Sequence, residues 1–425
     1  MTDTRNETVP NDPGDELPPP EAASSDRPSR HDEALATGLG LPSRRHRIWA
    51  IPLAALAFLV VVAVPVLAAL PSSLVAEKLN HRLDVEQPAP YARTPASAEP
   101  VANRIHFGDL GDVADQFPPQ GDIYFVTVTE PAQSVLSWLV GRDDPAIQFL
   151  TKEDKYGFAT PQQRRTFALE QMRTSEQVAQ YVALQRVGYD VELVPGDVLI
   201  EAMVCLVPNE AGDECVTWSP SDEVLDPGDR ILEVNGEAID GVEDLGRILQ
   251  GFAPGDTVTM KIDRPGTGEM TVDVELTASP DDPTRTIVGF YPFDTRRVVL
   301  PFELDIDTGS IGGPSAGLAF TLTLIDELTE GELTGGGRVA VTGTMELDGS
   351  VGAIGGLRQK ASAVEQTGVK IFLVPASQSD EDIAAAREAA PGLQIIPVAT
   401  LEDALTVLAE HGGDPITPPP SASGD

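Results

Sequence analysis

Histidine is almost absent from the part of this chain that has the pattern of folded protein. The 425-residue sequence contains five histidines, and none lies between Phe107 and Glu410. A Ser-His-Asp triad uses histidine as its general base, so such a triad is not expected here. Lysine is scarce too, because only Lys360 and Lys370 follow position 300. Lys370 opens an apolar run that predicts a buried strand, which leaves Lys360 as the candidate base.

Basic charge is also in short supply. The chain has 29 Lys and Arg against 67 Asp and Glu, which gives a formal net charge of −38. Nucleic-acid binding needs a basic patch that neutralises phosphates, so this class of partner is excluded. The string Gly-x-x-x-x-Gly-Lys-[Ser/Thr] does not occur in the sequence. We therefore predict no P-loop and no ATP as cofactor.

Cysteine occurs only twice, as Cys205 and Cys215. In an oxidising compartment, a close pair within one domain predicts a disulfide, and two unrelated thiols are the alternative. Zinc sites are built from sets of cysteine and histidine, and no histidine lies near these two positions. We expect no metal site and no cofactor.

One segment contrasts with the acidic average. Ile48 to Leu70 carry no charge and are almost wholly apolar. At about 1.5 Å per residue, a helix of this length crosses a hydrocarbon core roughly 30 Å thick. The preceding Arg-Arg-His-Arg at 44–47 predicts a cytoplasmic N-terminus and an extracellular C-terminal body. A cleaved signal peptide and a buried globular helix are the alternatives.

Composition and periodicity divide the rest of the first half and the extreme C-terminus. The expected segments are a disordered cytoplasmic tail (1–43), a transmembrane anchor (44–71), a linker (72–118), a mixed α/β segment (119–188) and a second disordered tail (413–425). The tails are rich in Pro, Ser and acidic residues, which cannot bury enough apolar surface to fold. The segment 119–188 is interpreted as a cap over an active site or as a spacer.

A β-rich pattern covers residues 189–282. The string Gly-Asp-Arg-Ile-Leu-Glu-Val-Asn-Gly at 228–236 combines a turn, a short alternating strand and an Asn-Gly hairpin turn. A short helix and two alternating strands follow. This order resembles a PDZ domain, a family that binds extended peptides at a sheet edge. The resemblance implies a peptide site at Val198, Leu199, Ile200, Val242 and Leu245, and a structural β-domain that binds nothing is the alternative.

The strongest chemical signal is Gly-Gly-Pro-Ser-Ala-Gly at 312–317, followed 45 residues after Ser315 by Lys360. A nucleophile on a Gly-rich turn, combined with a lysine near the start of another helix, provides the parts of a Ser–Lys hydrolase. The amine must lose its charge, so burial has to lower its pKa from about 10.4. We expect a helix to begin at Ser315, with Pro314 in its first turn and its free N–H groups facing an oxyanion.

Three strings in the segment 283–412 resemble the proteolytic domain of Lon-type proteases. They are Gly-Pro-Ser-Ala-Gly at 313–317, Val-Thr-Gly at 341–343 and Ile-Gly-Gly-Leu-Arg-Gln-Lys at 354–360. The catalytic serine and lysine of that family map onto Ser315 and Lys360.

The same resemblance implies further roles around these two residues. Thr342 is expected to bind and orient the amine. Oxyanion or orienting roles are expected for Gly313, Pro314 and Ala316. Many Lon enzymes carry an acidic residue after the Thr-Gly pair, whereas this chain has Thr344, so this part of the local network differs.

The predicted fold class is multidomain: an N-terminal transmembrane helix, a β-rich PDZ-like domain and an α+β Lon-type proteolytic domain. This combination resembles the membrane-bound PDZ–Lon proteins of Gram-positive bacteria. It implies an ATP-independent serine endopeptidase of the cell envelope that cleaves unfolded or flexible polypeptides through an acyl-enzyme. Lon-type domains commonly form rings, which leaves a homo-oligomer open. The alternative function is a peptide-binding envelope scaffold with an inactive protease domain.

Overall fold

The computed structural model describes residues 44–72, 90–157, 159–209 and 215–416. The expected tail 1–43 and residues 417–425 of the second tail lie outside this range. Contacts divide the chain between Ala63 and Val64 into two compact units. The first helix, α1, spans Arg44–Ala69, and its stretch Pro52–Ala69 has a mean hydropathy of 2.6. By length and composition this helix could cross a membrane.

The described residues in the first part of the C-terminal unit form four strands and three helices. They are β1 (Tyr91–Pro100), β2 (Ile105–Phe107), β3 (Asp122–Thr129), α2 (Val135–Gly141), β4 (Gln148–Leu150), α3 (Lys152–Tyr156) and α4 (Pro161–Val187), with a 3-10 turn at Val101–Arg104. The bounds of α4 follow from its sequence. Thr160 and Gln163 form a capping box, Pro161 occupies the first turn, and Gly188 ends the helix at a φ of 99°.

The middle part is built mainly of strands. They are β5 (Glu192–Met203), β6 (Cys205–Pro208), β7 (Cys215–Trp218), β8 (Arg230–Val234), β9 (Glu237–Ala238), β10 (Thr257–Arg264), β11 (Gly268–Glu275), β12 (Thr277–Ala278), β13 (Thr286–Ile287) and β14 (Phe290–Val299), with a 3-10 turn at Pro220–Glu223 and helix α5 at Val242–Leu249. The main sheet has the order β11-β10-β8-β5-β14. Cys205 and Cys215 form a disulfide between β6 and β7.

The last part alternates strands and helices. They are β15 (Leu304–Ile306), α6 (Gly317–Leu328), β16 (Arg338–Val341), β17 (Thr344–Met345), β18 (Val351–Gly352), α7 (Leu357–Gln366), β19 (Ile371–Pro375), α8 (Asp380–Ala389), β20 (Gln394–Val398) and α9 (Leu401–Glu410). The strands β16, β19 and β20 pair in parallel, as expected where helices connect successive strands.

The first and last parts share one six-stranded sheet, whose order is β20-β19-β16-β3-β1-β4. Strand β3 pairs in parallel with β16, and β1 pairs antiparallel with β3. The expected linker 72–118 and the expected cap or spacer 119–188 therefore need correction, because both supply central strands of this sheet. The β-rich middle part is inserted between the two halves of the fold.

Two helical layers cover this sheet. On one face, α4, α6 and α9 enclose the largest apolar cluster, which includes Leu184, Phe320 and Leu405. On the other face, α7 and α8 cover a second cluster that includes Phe372 and Ile383. The β-rich part has its own core around Ile231, Met260 and other residues of the strands β5, β8, β10 and β11.

Leu184→Ala tests whether α4 belongs to the core of the proteolytic half. Leu184 is 0% exposed, so we expect the substitution to lower the free energy of unfolding by about 2–5 kcal/mol. The matched control is Leu139→Ala, because Leu139 is 40% exposed and should cost less than about 0.5 kcal/mol. Urea unfolding of the full chain in detergent micelles measures both. Equal losses for the two variants would contradict the assignment of α4 to the core.

Candidate active site

Ser315 lies in the loop between β15 and α6. Helix α6 begins at Gly317, two residues later than the expected start, so Ser315 and Pro314 precede the helix. A side chain at position 317 would have no space, because its Cβ would lie 2.9 Å from both the Met345 nitrogen and Ser175 Oγ. The glycine at the first position of α6 therefore lets the backbone pass close to Met345 and Ser175.

The main-chain carbonyl of Ser315 is held by the turn that follows β16. The Gly343 N–H donates to this carbonyl at 2.9 Å, and Thr342 Oγ1 donates to it at 3.1 Å. The Gly343 carbonyl in turn accepts from the Leu318 N–H at 3.1 Å. The loop that carries Ser315 is named the nucleophile loop after the predicted role of this serine. These bonds join it to the carboxyl end of a central parallel strand, where ligand sites of α/β sheets are commonly found.

Lys360 approaches the same point from α7. The helix begins after Gly356, which has a φ of 71°, a conformation that favours glycine. Lys360 Nζ lies 2.6 Å from Ser315 Oγ and 3.0 Å from Thr342 Oγ1. Because the Thr342 hydroxyl donates its proton to the Ser315 carbonyl, it accepts from the amine. Thr342 thus fixes the amine beside Ser315.

Burial sets the charge state of this amine. Lys360 is only 2% exposed. Removal from water, with a smaller effect from the positive charge of Arg93, lowers the pKa of Lys360 to about 7. A buried ammonium loses hydration that the protein does not replace, so the neutral form gains. At neutral pH a substantial fraction of Lys360 can accept a proton.

The backbone around Ser315 offers two donors toward an oxyanion. In the described part of the chain, the N–H groups of Ser315 and Ala316 have no hydrogen-bond partner. The Gly313 N–H is occupied, since it donates to the Ala168 carbonyl at 2.7 Å, and Pro314 has no N–H. Among the residues predicted to bind the oxyanion, Ala316 is therefore the one whose main-chain N–H can donate to it, together with the N–H of Ser315 itself.

A cavity of about 390 Å³ opens onto Ser315 and Lys360. Its wall combines apolar and polar residues of β1, β3, α4 and the nucleophile loop, among them Glu99, Phe125, Met172 and Ile311. Glu99 is paired with Arg104 at 2.8 Å. No cluster of side chains that could bind a metal is found in the described residues.

The predicted peptide site divides into two groups. Val198, Leu199 and Ile200 are buried, and their strand β5 is paired with β14 on one side and β8 on the other. This strand therefore cannot accept a peptide strand, which corrects the expectation. Val242 and Leu245 on α5 do line a groove of about 610 Å³.

The opposite wall of this groove is the beginning of β14, which lies at the end of the sheet. Phe290 and Tyr291 line it, and Tyr291 is 55% exposed. Gly289 precedes them with a φ of 103°, and a Cβ there would lie 2.4 Å from Ser219 Cβ. The string Val-Gly-Phe at 288–290 was the available signal, since a glycine before an apolar strand indicates a tight backbone turn.

Known families match the β-rich middle part and the last part of the chain. Residues 304–410 match the Lon protease (S16) C-terminal proteolytic domain, and residues 216–264 match a PDZ domain. The chain carries a Lon-type proteolytic domain and a PDZ domain. Both resemblances seen in the sequence are confirmed by these matches. The proteolytic domain supports serine peptidase activity.

Individual relatives cover only part of the chain. A Lon protease from Neorickettsia sennetsu is 38% identical over 100 residues, which are 23% of this chain and 12% of the relative. A Lon protease from Mesomycoplasma hyopneumoniae is 26% identical over 164 residues, which are 36% and 19% of the two chains. The PDZ domain of an SdrC-like protein from Listeria monocytogenes is 24% identical, covers 21% of this chain and 85% of its own, and has a TM-score of 0.17.

The proteolytic domain depends on α4 in a way that the sequence did not indicate. Ser175 Oγ donates to the Pro314 carbonyl at 3.0 Å, and Thr308 Oγ1 donates to Glu176 at 2.6 Å. Gly312 packs on Ala168, where a Cβ would lie 2.8 Å away. Helix α4 thus supports the nucleophile loop along its length. No local motif marks these residues, because their partners lie more than 100 positions away.

Ser175→Ala should loosen the nucleophile loop without unfolding the domain. The lost hydrogen bond is neutral and contributes roughly 1 kcal/mol, so we expect kcat/KM for an unfolded protein substrate to fall about three- to tenfold. Ser377→Ala, at an exposed position, is the control and should retain wild-type kinetics. If Ser175→Ala equals wild type in kcat/KM, the bond to Pro314 does not position the nucleophile.

Proposed function

We propose that this chain is a serine endopeptidase in which Ser315 is the nucleophile and Lys360 the general base. The observation that carries the proposal is the 2.6 Å contact between Lys360 Nζ and Ser315 Oγ. A second support is the burial that lowers the pKa of Lys360 to about 7. A neutral amine next to a hydroxyl is the arrangement that a Ser–Lys hydrolase requires.

The first chemical step is acyl transfer. Neutral Lys360 takes the Ser315 hydroxyl proton as Oγ attacks the scissile carbonyl carbon. The negative charge that forms on the substrate oxygen is met by the N–H groups of Ser315 and Ala316. The Lys360 ammonium then gives its proton to the leaving amine as the carbon–nitrogen bond breaks, which yields an acyl-enzyme and the first peptide product.

Hydrolysis repeats these proton transfers with water. Lys360 removes a proton from a water molecule as its oxygen attacks the acyl carbon. The tetrahedral intermediate collapses, the bond to Ser315 Oγ breaks, and Oγ recovers its proton from Lys360. Thr342 keeps the amine in reach of Oγ through both steps, because it binds both the amine and the Ser315 carbonyl.

Ser315→Ala and Lys360→Ala should each abolish cleavage of an unfolded model protein, with losses of about 10³-fold or more. Lys370→Ala is the matched control, since Lys370 is exposed and lies after the end of α7 at Gln366. Gel-based proteolysis by the full chain in detergent micelles measures all three. Cleavage by Ser315→Ala at the wild-type rate would exclude the proposed nucleophile.

The pH dependence has a defined sign. Only neutral Lys360 accepts the proton, and its pKa is lowered to about 7. The rate constant kcat/KM should therefore rise with pH through this value and level off above it, falling about tenfold per pH unit on the acid side. A limb near the ordinary lysine pKa of about 10.4 would contradict the depressed pKa.

The absence of a P-loop string and the apolar helix α1 support a proposal on the substrate class and the cellular location. We propose that the chain cleaves flexible or unfolded polypeptides without ATP hydrolysis, since its sequence contains no P-loop string. Helix α1 is proposed to anchor the protein in the cell membrane with a cytoplasmic N-terminus, because Arg44, Arg45 and Arg47 precede its apolar stretch. The catalytic domain then lies outside the cell, where the Cys205–Cys215 disulfide is stable.

The PDZ groove is proposed to recruit extended peptide segments. Strand β14 is the end strand of the described sheet, so its outer edge offers main-chain partners for an added strand, and α5 supplies an apolar wall. Gly246 lines this groove on α5, and a Cβ there meets no atom within 4 Å. A large side chain at this position can therefore enter the groove without disturbing the fold.

Gly246→Trp should block the groove and weaken the binding of fluorescent C-terminal peptides at least tenfold, whereas Gly246→Ala should not. Fluorescence anisotropy with the full chain measures binding, and proteolysis of the same samples measures activity. Equal peptide affinity for Gly246→Trp and wild type would exclude this groove. Peptide binding without any proteolysis by the wild-type chain would favour the scaffold function instead.

A further inference from the structure

Arg93 lies on β1, and its side chain passes over the start of the lysine-bearing helix α7. A Cβ at Gly356 would be 2.9 Å from Arg93 Cδ, and a Cβ at Gly355 would be 3.8 Å from Arg93 Nη1. Gly355 lines the active-site cavity together with Lys360. The two glycines therefore allow a guanidinium group to sit beside the N-terminus of α7, next to the cavity.

This guanidinium is fixed by an ion pair. Arg93 Nε and Nη2 lie 2.8 and 2.7 Å from Glu130 Oε1. The Arg93 and Glu130 side chains are only 19% and 18% exposed. A charge held in a partly dry site is screened less than a surface charge. Arginine also stays protonated at every pH of interest.

Charged groups lie on α7 itself and on the elements packed against it. On α7 the other charged residues are Arg358 and Glu365, and both are partly exposed. The elements packed against α7 are β1, β3 and α8. Strand β1 contributes Arg93 and Glu99, and Glu130 follows the end of β3. Arg104 also lines the cavity and pairs with Glu99. The charged residues of α8 are exposed, and its buried residues that face α7 are apolar.

Among these groups, Arg93 is the charge that acts on the lysine. Its positive charge lowers the pKa of Lys360, second only to burial. The partial positive charge of the α7 N-terminus acts in the same sense, since Lys360 lies in the first turns of that helix. Glu99 and Glu130 are each paired with an arginine, and neither is among the causes that shift the pKa of Lys360.

We propose that Arg93 is a positioning residue of the catalytic site, whose fixed guanidinium beside the start of α7 adds to the effect of burial in favouring the neutral form of Lys360. The proposal rests on the proposed Ser315–Lys360 function. Arg93 does not touch Ser315 and takes no part in bond making. Its contribution is to increase the fraction of molecules in which the base is ready to accept a proton.

The pH profile of kcat/KM tests this role. Arg93→Gln removes the charge, so the acid limb should move to higher pH, with a roughly three- to tenfold loss at pH 7 that disappears near pH 9.5. Arg93→Lys keeps a positive charge and should leave the limb near its wild-type position. A loss in Arg93→Gln that is the same at every pH would overturn the proposal and leave Arg93 with a structural role alone.

A second measurement does not depend on catalysis. In a Ser315→Ala background, the pH dependence of Lys360 acetylation by acetic anhydride is followed by mass spectrometry in the full chain. Arg93→Gln should shift the onset of Lys360 labelling to higher pH, while labelling of the exposed Lys370 should stay unchanged. An unshifted onset would overturn the proposal. A shifted onset in a chain whose Ser315 form shows no proteolysis would support the role of Arg93 and reject the proposed function.

Discussion

The structure depends on a lysine amine that is held away from water between two hydroxyl groups. Lys360 lies on α7 with only 2% of its surface exposed, and Ser315 and Thr342 bind its nitrogen. Burial destabilises the ammonium form, so the fold favours the neutral amine, which can accept a proton. The hydrogen bonds from Thr342, Gly343 and Ser175 to the loop that carries Ser315 keep its hydroxyl close to this amine.

Helix α4 connects this site to the PDZ domain. The helix holds the loop that carries Ser315 through Ala168 and Ser175. The same helix contacts β14, where Phe167 stacks edge-on against Phe293 with ring centroids 5.1 Å apart. Strand β14 begins in the groove beside α5 and ends in the core of the proteolytic domain, in which Val298 is buried. The two domains are thus joined by continuous packing rather than by a separate linker.

Local patterns predicted the parts of the fold that depend on neighbouring residues. The hairpin β10–β11 has strict alternation, and Met260 and Ile262 are buried as that alternation requires. By contrast, β1 and β3 carry no signal of their partners, because β3 pairs with β16 more than 200 residues later. Helix α6 begins two residues later than its sequence predicts for a related reason, since contacts with α4 and with the turn at Thr342 shape the loop around Ser315.

The sequence by itself determined the chemistry of the chain: a serine and a lysine in strings typical of one protease family, an acidic surface, an apolar N-terminal helix and a PDZ pattern. Residue identity decides these properties, and identity is fully written in the chain. Only the tertiary structure decided which strand borders the groove beside α5, which N–H groups have no partner beside Ser315, and that Arg93 lies beside the start of α7. These depend on contacts between residues far apart in sequence, which form only when the sheet closes around them.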